Sequence, residues 1–271
     1  MTNSPRPASP GPHTPGSPRT QLRIAAVCCT FRRPELLGQM IRCFERQTYE
    51  NRRLVILDDA GQYPDQPTGD RWRVVSTGVR FDSLGQKRNA AASLIDPDTD
   101  VIAPWDDDDL YLPHALKAQA ETMAVSDADW IRPSVVLDVT RDGSGDLIQI
   151  ATNTPADPAW KCYHAAWAFS CNVFREAGGY PPDQSNGEDA ALAAKLSNCN
   201  TPEADPIAYG WKPYSIHRTH TGHRHLSGMG PRGWHRMGRG ATAKAELTVY
   251  DPPGIDLDNP NIRPGVTARP F

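Results

Sequence analysis

Apolar and polar positions along the middle of this chain fall into short blocks whose period changes from one block to the next. Residues 22–29 form a nearly continuous apolar run broken only by Arg23, the pattern of a strand covered on both faces. Pro34 follows, opening a stretch in which Leu36, Leu37, Met40, Ile41 and Phe44 recur at helical spacing. Residues 53–57 and 72–76 read as the next two strands, 84–95 as a helix, 100–105 as a fourth strand and 113–125 as a third helix. This β-α-β-β-α-β-α order predicts an α/β fold: a mostly parallel, Rossmann-like sheet with helices on both faces. Farther on, residues 130–139 and 147–150 read as a hairpin around Arg141-Asp142-Gly143-Ser144-Gly145. Residues 167–174 read as a strand returning to the sheet, 187–196 as a helix and Tyr214-Ser215-Ile216 as a strand-like run.

Composition sets the boundaries. Residues 1–20 are dominated by Pro, Ser, Gly and Thr and are expected to be disordered. Residues 251–271 carry five prolines and little apolar periodicity, which suits an extended or loose tail. A single domain is expected over 21–250, with a first half at 21–112, a second at 113–205 and a basic segment at 206–245. The net charge of -3 gives no global argument for nucleic acid or membrane, and no nucleic-acid partner is expected. No apolar run approaches the roughly 20 residues a transmembrane helix needs, and the first twenty residues lack a signal peptide's apolar core. Six cysteines without CxxC spacing imply free thiols and a reducing, cytoplasmic setting.

The densest chemical signal is the run Asp106-Asp107-Asp108-Asp109, directly after Val101-Ile102-Ala103-Pro104-Trp105. Like charges about 4 Å apart repel by roughly 1 kcal/mol in water and roughly 4 near a protein surface. Such a cluster is either fully solvated or neutralised by a cation. Leu110-Tyr111-Leu112-Pro113 resumes apolar character at once, which pins the acids between a strand end and a helix start. Ligands of open α/β sheets bind at that edge.

Five segments in order resemble the family 2 glycosyltransferases of the GT-A fold. They are Val27-Cys28-Cys29-Thr30-Phe31-Arg32-Arg33-Pro34, Leu54-Val55-Ile56-Leu57-Asp58-Asp59-Ala60-Gly61, Gly85-Gln86-Lys87-Arg88-Asn89, Trp105 with the four aspartates, and Gly178-Gly179-Tyr180 followed by Gly187-Glu188-Asp189. Two departures lie near the expected nucleotide base: Thr30-Phe31-Arg32-Arg33-Pro34 where many members have Thr-x-Asn-Arg, and Ala60-Gly61 where Gly-Ser is usual. The resemblance implies transfer of a sugar from a UDP- or GDP-type nucleotide-sugar donor to a hydroxyl acceptor on a glycan, lipid or small molecule, with Mn²⁺ or Mg²⁺. It makes Asp106 and Asp108 the DXD pair, with Asp108 the direct metal ligand, Asp106 nearer the ribose, Asp107 within the donor site and Asp109 in support. Asp58 and Asp59 would meet base and ribose, with Thr30 and Arg32 bordering that pocket and Arg88 holding diphosphate or base. Asp189, with Glu188 beside it, would be the general base of an inverting transfer.

Plainer readings stand beside these. Asp58-Asp59-Ala60-Gly61 is also good turn chemistry, Arg88 could be a solvated helix charge, and Glu188 and Asp189 suit a helix N-terminus through the dipole alone. Trp160 and Trp167 could form a platform for a sugar ring or belong to the core. Residues 206–245 contain no acid but hold five histidines at 217, 220, 223, 225 and 235. They fit a lid over the diphosphate, with His217 completing the metal shell as in some GT-A enzymes. A solvated loop, a nucleic-acid patch and a separate zinc site are the other readings. At the level of the whole protein, a nucleotidyltransferase and a non-catalytic nucleotide-sugar or nucleic-acid binding protein are the alternatives. Against the first, no glycine-rich phosphate loop follows the first strand.

Overall fold

The computed structural model describes residues 21–141, 147–153 and 164–218, of which 138–141, 147–153 and 218 by backbone alone. The expected tails and most of the histidine-rich segment lie outside them. Strands β1 (Ile24–Thr30), β2 (Arg52–Asp58), β3 (Trp72–Ser76) and β4 (Val101–Pro104) pair in parallel in the order β3-β2-β1-β4. Helices α1 (Pro34–Glu45), α2 (Leu84–Ala92) and α3 (Ala115–Ser126) connect or follow them. Three short strands extend the sheet to seven: β6 (Trp130–Ile131), β9 (Ala168–Ser170) and β10 (Glu203–Ala204). Within this extension β9 runs antiparallel to β4 and β6, so the sheet is mixed and mostly parallel.

Continuous apolar runs form the central strands because successive side chains enter different layers. Ile24, Ala26 and Cys28 of β1 pack with Leu37, Met40 and Phe44 of α1 and with α3. Ala25 and Val27 pack on the other face with Ala91 and Ala92 of α2 and with Leu192 and Leu196 of α5 (Glu188–Asn198). The central strands are thus covered on both faces, and parallel order brings the carboxyl ends of β1 to β4 to one edge.

Two expectations from the sequence need correcting. The hairpin read over 130–150 is divided between sheets. Trp130 and Ile131 join the large sheet, whereas β7 (Val136–Arg141) pairs with β8 (Leu147–Asn153) in a second sheet of order β5-β11-β7-β8. The other members of that sheet are β5 (Leu110–Tyr111) and β11 (Ser215–Arg218), which pair antiparallel. The strand read over 167–174 is only β9; helix α4 (Cys171–Glu176) begins at once, because the Ser170 side chain accepts the Val173 N–H at 3.1 Å and caps it. An apolar run alone does not distinguish the two.

The loop carrying Gly178-Gly179-Tyr180 is locked to α2. The Gly85 N–H donates to the Gln184 carbonyl at 2.9 Å, and a Cβ on Gly85 would lie 1.9 Å from the Pro181 carbonyl oxygen. Gly85→Ala must therefore push backbone away from backbone, and we expect a loss of about 1–3 kcal/mol, read as a lower chemical-denaturation midpoint with unchanged slope. No helix among the described residues is long and apolar enough to cross a membrane.

Candidate active site

Strand register sets the floor of the site. Thr30 at the end of β1 pairs with Asp58 of β2, and Asp58 pairs with Ser76 of β3. The aspartate run leaves β4 at the same edge. The run is held tightly: Trp105, fully buried, stacks on Tyr111 with ring centroids 3.6 Å apart, and the Asp106 N–H donates to the Tyr111 hydroxyl at 2.6 Å. The acids thus occupy a pinned turn, with β5 resuming at Leu110.

The four carboxyls are not equivalent. Asp107 is 3% exposed and Asp109 5%, whereas the side chains of Asp106 and Asp108 are 27% and 13% exposed. Asp107 accepts the Thr30 hydroxyl at 2.6 Å, and one Arg33 nitrogen reaches both Asp107 at 3.0 Å and Asp108 at 2.8 Å. Burial and the adjacent Asp108 charge push the Asp107 carboxyl up to about 6 despite Arg33. Burial also penalises ionised Asp106. There the surrounding positive groups, the Arg88 guanidinium 3.1 Å away foremost, together outweigh the penalty and hold the carboxyl below its ordinary value.

Arg88 also donates from Nε to Glu188 at 3.3 Å, so one cation joins the aspartate turn to the first residue of α5. Glu188 is buried, and burial raises its pKa although Arg88 acts against it. Asp189 is half-buried and accepts the Ala190 N–H at 2.7 Å. The two acids at the start of α5 thus differ: one is tied inward, the other stays open.

Asp58 and Asp59 also differ. Asp58 is wholly buried and takes the Ala60 and Gln62 N–H groups at 3.0 and 2.8 Å and the Ser76 hydroxyl at 2.7 Å, which closes the turn after β2. Asp59 accepts Lys87 at 2.6 Å and Arg80 at 2.7 and 2.9 Å. Lys87, 3% exposed, also donates to the Thr30 carbonyl at 2.6 Å, and the Arg80 guanidinium lies 3.7 Å from the Phe31 ring centroid. The loops after β1, β2 and β3 are thereby joined by charge.

The structure brings together Thr30, Asp59, Arg88, Asp106, Asp107, Asp108 and Glu188, with Asp58 beneath and Asp189 beside them. Arg32 does not join this network. It is exposed, its guanidinium lies 5.2 Å from the Phe31 ring, and its φ of 54° is left-handed. That turn delivers the next residue, Arg33, to the aspartates. Arg33, Lys87, Arg80, His164 and Tyr180 were not assigned roles from sequence. The first two lie inside the motifs, whereas Arg80 and His164 carry no pattern that marks them. Trp167 is 5% exposed and packs edge-on to Trp130, so it belongs to the core; Trp160 lies outside the described residues.

Among the described residues no three His, Cys, Asp or Glu side chains form a group able to enclose a metal, so Asp106, Asp108 and His217 are not such a cage. Two half-open carboxylates nevertheless suit Mg²⁺ or Mn²⁺, which take one or two protein carboxylates and keep waters and phosphate oxygens. His217 sits on β11, one residue beyond Ile216, which pairs with Leu110 of β5.

Comparison with known proteins agrees with the sequence resemblance over part of the chain. Residues 26–147 match the family model described as glycosyl transferase family 2. The match takes in the loops after β1 and β2, Arg88 and the aspartate turn, and ends before Glu188 and Asp189. The fold, including the part beyond the family 2 match, is similar to that of S. aureus TarS 1–349 in complex with UDP-GlcNAc, with TM-score 0.58 and 13% identity over 76% of this chain and 61% of that one. It is also similar to the mannosyltransferase PcManGT from Pyrobaculum calidifontis in complex with GDP-Man and Mn²⁺, with TM-score 0.52 and 15% identity over 77% and 60%. The chain thus spans 61% of the TarS 1–349 fragment, 37% of the longer TarS chain and 60% of the PcManGT chain. No curated protein sequence matches it. The fold is therefore of the GT-A kind, as the sequence motifs implied.

Of the two thiols near the site, Cys28 is buried and Cys29 is partly exposed. Cys28 and Cys29 end β1, and burial raises both, Cys29 to about 11 with Lys87 and Arg88 acting against the rise. At pH 8 both are protonated, and only the thiolate reacts. Iodoacetamide labelling of Cys28 and Cys29 is expected to be slow in the folded protein at pH 8, to rise as pH climbs toward 11, and to become fast at pH 8 on unfolding. Fast labelling of Cys28 in the native protein would contradict its burial, and fast labelling of Cys29 at pH 8 would contradict its raised pKa.

Proposed function

We propose that this protein transfers a sugar from a nucleoside-diphosphate sugar to a hydroxyl acceptor, with inversion at the anomeric carbon. The observation that carries the reading is the Arg88 link between Asp106 on the donor side and Glu188 on the acceptor side, within one polar cluster at the sheet's carboxyl edge. TarS was solved with UDP-GlcNAc and PcManGT with GDP-Man and Mn²⁺, which supports a donor of UDP or GDP type and a divalent cation. Asp108 and Asp106 would hold that cation, and His217 would complete its shell once donor is bound. When bound, the cation supplies Lewis-acid stabilisation of the departing diphosphate.

The chain's own residues do the rest. Asp107, fixed by Thr30 and Arg33, holds the turn that presents its two neighbours. Asp59, Arg80 and Phe31 border the space for the nucleoside, and Arg80 gives that rim a planar, cationic surface. Asp189 accepts the proton of the acceptor hydroxyl as its oxygen bonds to the anomeric carbon. The bond from that carbon to the diphosphate oxygen breaks on the opposite face. Glu188 anchors the start of α5 through Arg88 and so sets the position of Asp189.

The test is release of nucleoside diphosphate from a panel of UDP- and GDP-sugars with Mn²⁺ and simple hydroxyl acceptors. Release that stops with EDTA and resumes with Mn²⁺ supports the reading. Release of inorganic pyrophosphate from a nucleoside triphosphate instead would point to nucleotidyl transfer and overturn it.

A further inference from the structure

One buried group has no part in the chemistry above. His164, in the 3-10 turn His164–Ala166, is 4% exposed, and its Nε2 lies 2.6 Å from the Tyr180 hydroxyl. Its Nδ1 is buried without a hydrogen-bond partner among the described residues. Burial first, and the nearby Arg88 charge second, drive its pKa well below the ordinary histidine value, so the ring is neutral. The imidazole packs edge-on to Trp167 at 5.3 Å and to Tyr180 at 5.5 Å. A neutral histidine with one unpartnered nitrogen is costly to bury, so its bond to Tyr180 is the contact to explain.

Tyr180 is itself heavily constrained. Its N–H donates to Asn89 Oδ1 at 2.9 Å and its carbonyl accepts from Asn89 Nδ2 at 2.8 Å. Gly179 has φ 68°, and a Cβ there would lie 2.6 Å from Asn89 Oδ1, so only glycine lets the chain approach this closely. Asn89 thus fixes the Tyr180 backbone and His164 fixes the far end of its ring. Between these two anchors the ring lies against Arg88, whose guanidinium carbon is 5.8 Å from its centroid. Arg88 holds Asp106 and Glu188 by single bonds of 3.1 and 3.3 Å, with no bidentate pairing to fix its plane.

We infer that His164 and Tyr180 are positioning residues, a brace that keeps the Arg88 guanidinium in the orientation that spans Asp106 and Glu188. The brace acts through Arg88 and does not touch the reacting atoms. Its kinetic consequence rests on the glycosyl-transfer reading; its effect on Arg88 does not.

His164→Gln can still bond the Tyr180 hydroxyl, whereas His164→Leu removes the bond and keeps a comparable apolar volume. In a ¹⁵N spectrum the Arg88 Nε–H, assigned by its loss in Arg88→Lys, is expected to be resolved and slow to exchange in wild type and in His164→Gln. It is expected to broaden or exchange at least about tenfold faster in His164→Leu, where nothing anchors the ring, while the Asn89 backbone amide stays protected as the control for folding. With a working donor, kcat should fall about thirtyfold in His164→Leu with the donor KM within about threefold, and Gln should restore most of it. In the Arg88→Lys background His164→Leu should add nothing. An Arg88 Nε–H unchanged by His164→Leu, or equal kcat for Leu and Gln, overturns the brace. Absence of turnover in wild type with every donor would instead overturn the functional reading and leave the spectroscopic result to decide the brace.

Discussion

Asp108→Asn is expected to lower kcat for nucleoside diphosphate release by about a thousandfold, equivalent to roughly 4 kcal/mol of lost transition-state stabilisation. The residue is the more exposed partner of Arg33, and an amide is a poor substitute for a carboxylate on a hard cation. The fold should survive. Asp107 beside it is pushed up to about 6 from a usual 3.8 by burial and by the Asp108 charge. A carboxyl raised in the folded state contributes stability below its unfolded pKa and loses it as pH rises through the folded value. Without metal, wild type should therefore lose stability between about pH 4 and pH 6.5 from this group, and Asp108→Asn should lose less, because a like charge is gone. A melting temperature that falls as steeply with pH in the variant as in wild type would contradict the assignment. So would near-normal turnover.

Asp189→Asn should reduce kcat by about a thousandfold while leaving donor binding within about threefold, since a positioned base typically contributes 10²–10⁴. Asparagine keeps the oxygen that accepts the Ala190 N–H, so the start of α5 has a reason to persist. Glu188→Gln should behave differently. It removes the charge that Arg88 Nε contacts and leaves Asp106 as that cation's carboxylate in the cluster, so donor affinity should change together with kcat. If Glu188→Gln abolished turnover with binding intact and Asp189→Asn did not, the two roles would be exchanged.

The elements that build the sheet's edge were legible because their strands are covered on both faces and carry unbroken apolar runs, as in β1 and β2. The second sheet was not. It depends on β5, only two residues long, pairing with β11 about a hundred residues later, and no local pattern encodes such a pairing. Residues 167–174 misled because Ser170 turns an apolar run from strand to helix by capping. In the site, the acids were visible as motifs, but their division of labour was not. The left-handed backbone at Arg32 decides that Arg33 and not Arg32 meets the aspartates. Arg80 and His164 join through tertiary approach alone. Of the basic segment at 206–245, only the part up to Arg218 is described, so the lid and the remaining histidines stay as expectations from sequence.

The most direct test is anomalous diffraction from crystals grown with Mn²⁺ and UDP or GDP. The account predicts a manganese peak bonded to Asp108, with Asp106 at or beside the shell, and to diphosphate oxygens at the carboxyl edge of β1 and β4. A diphosphate bound there with no metal peak, or a peak remote from Asp106 and Asp108, would contradict it.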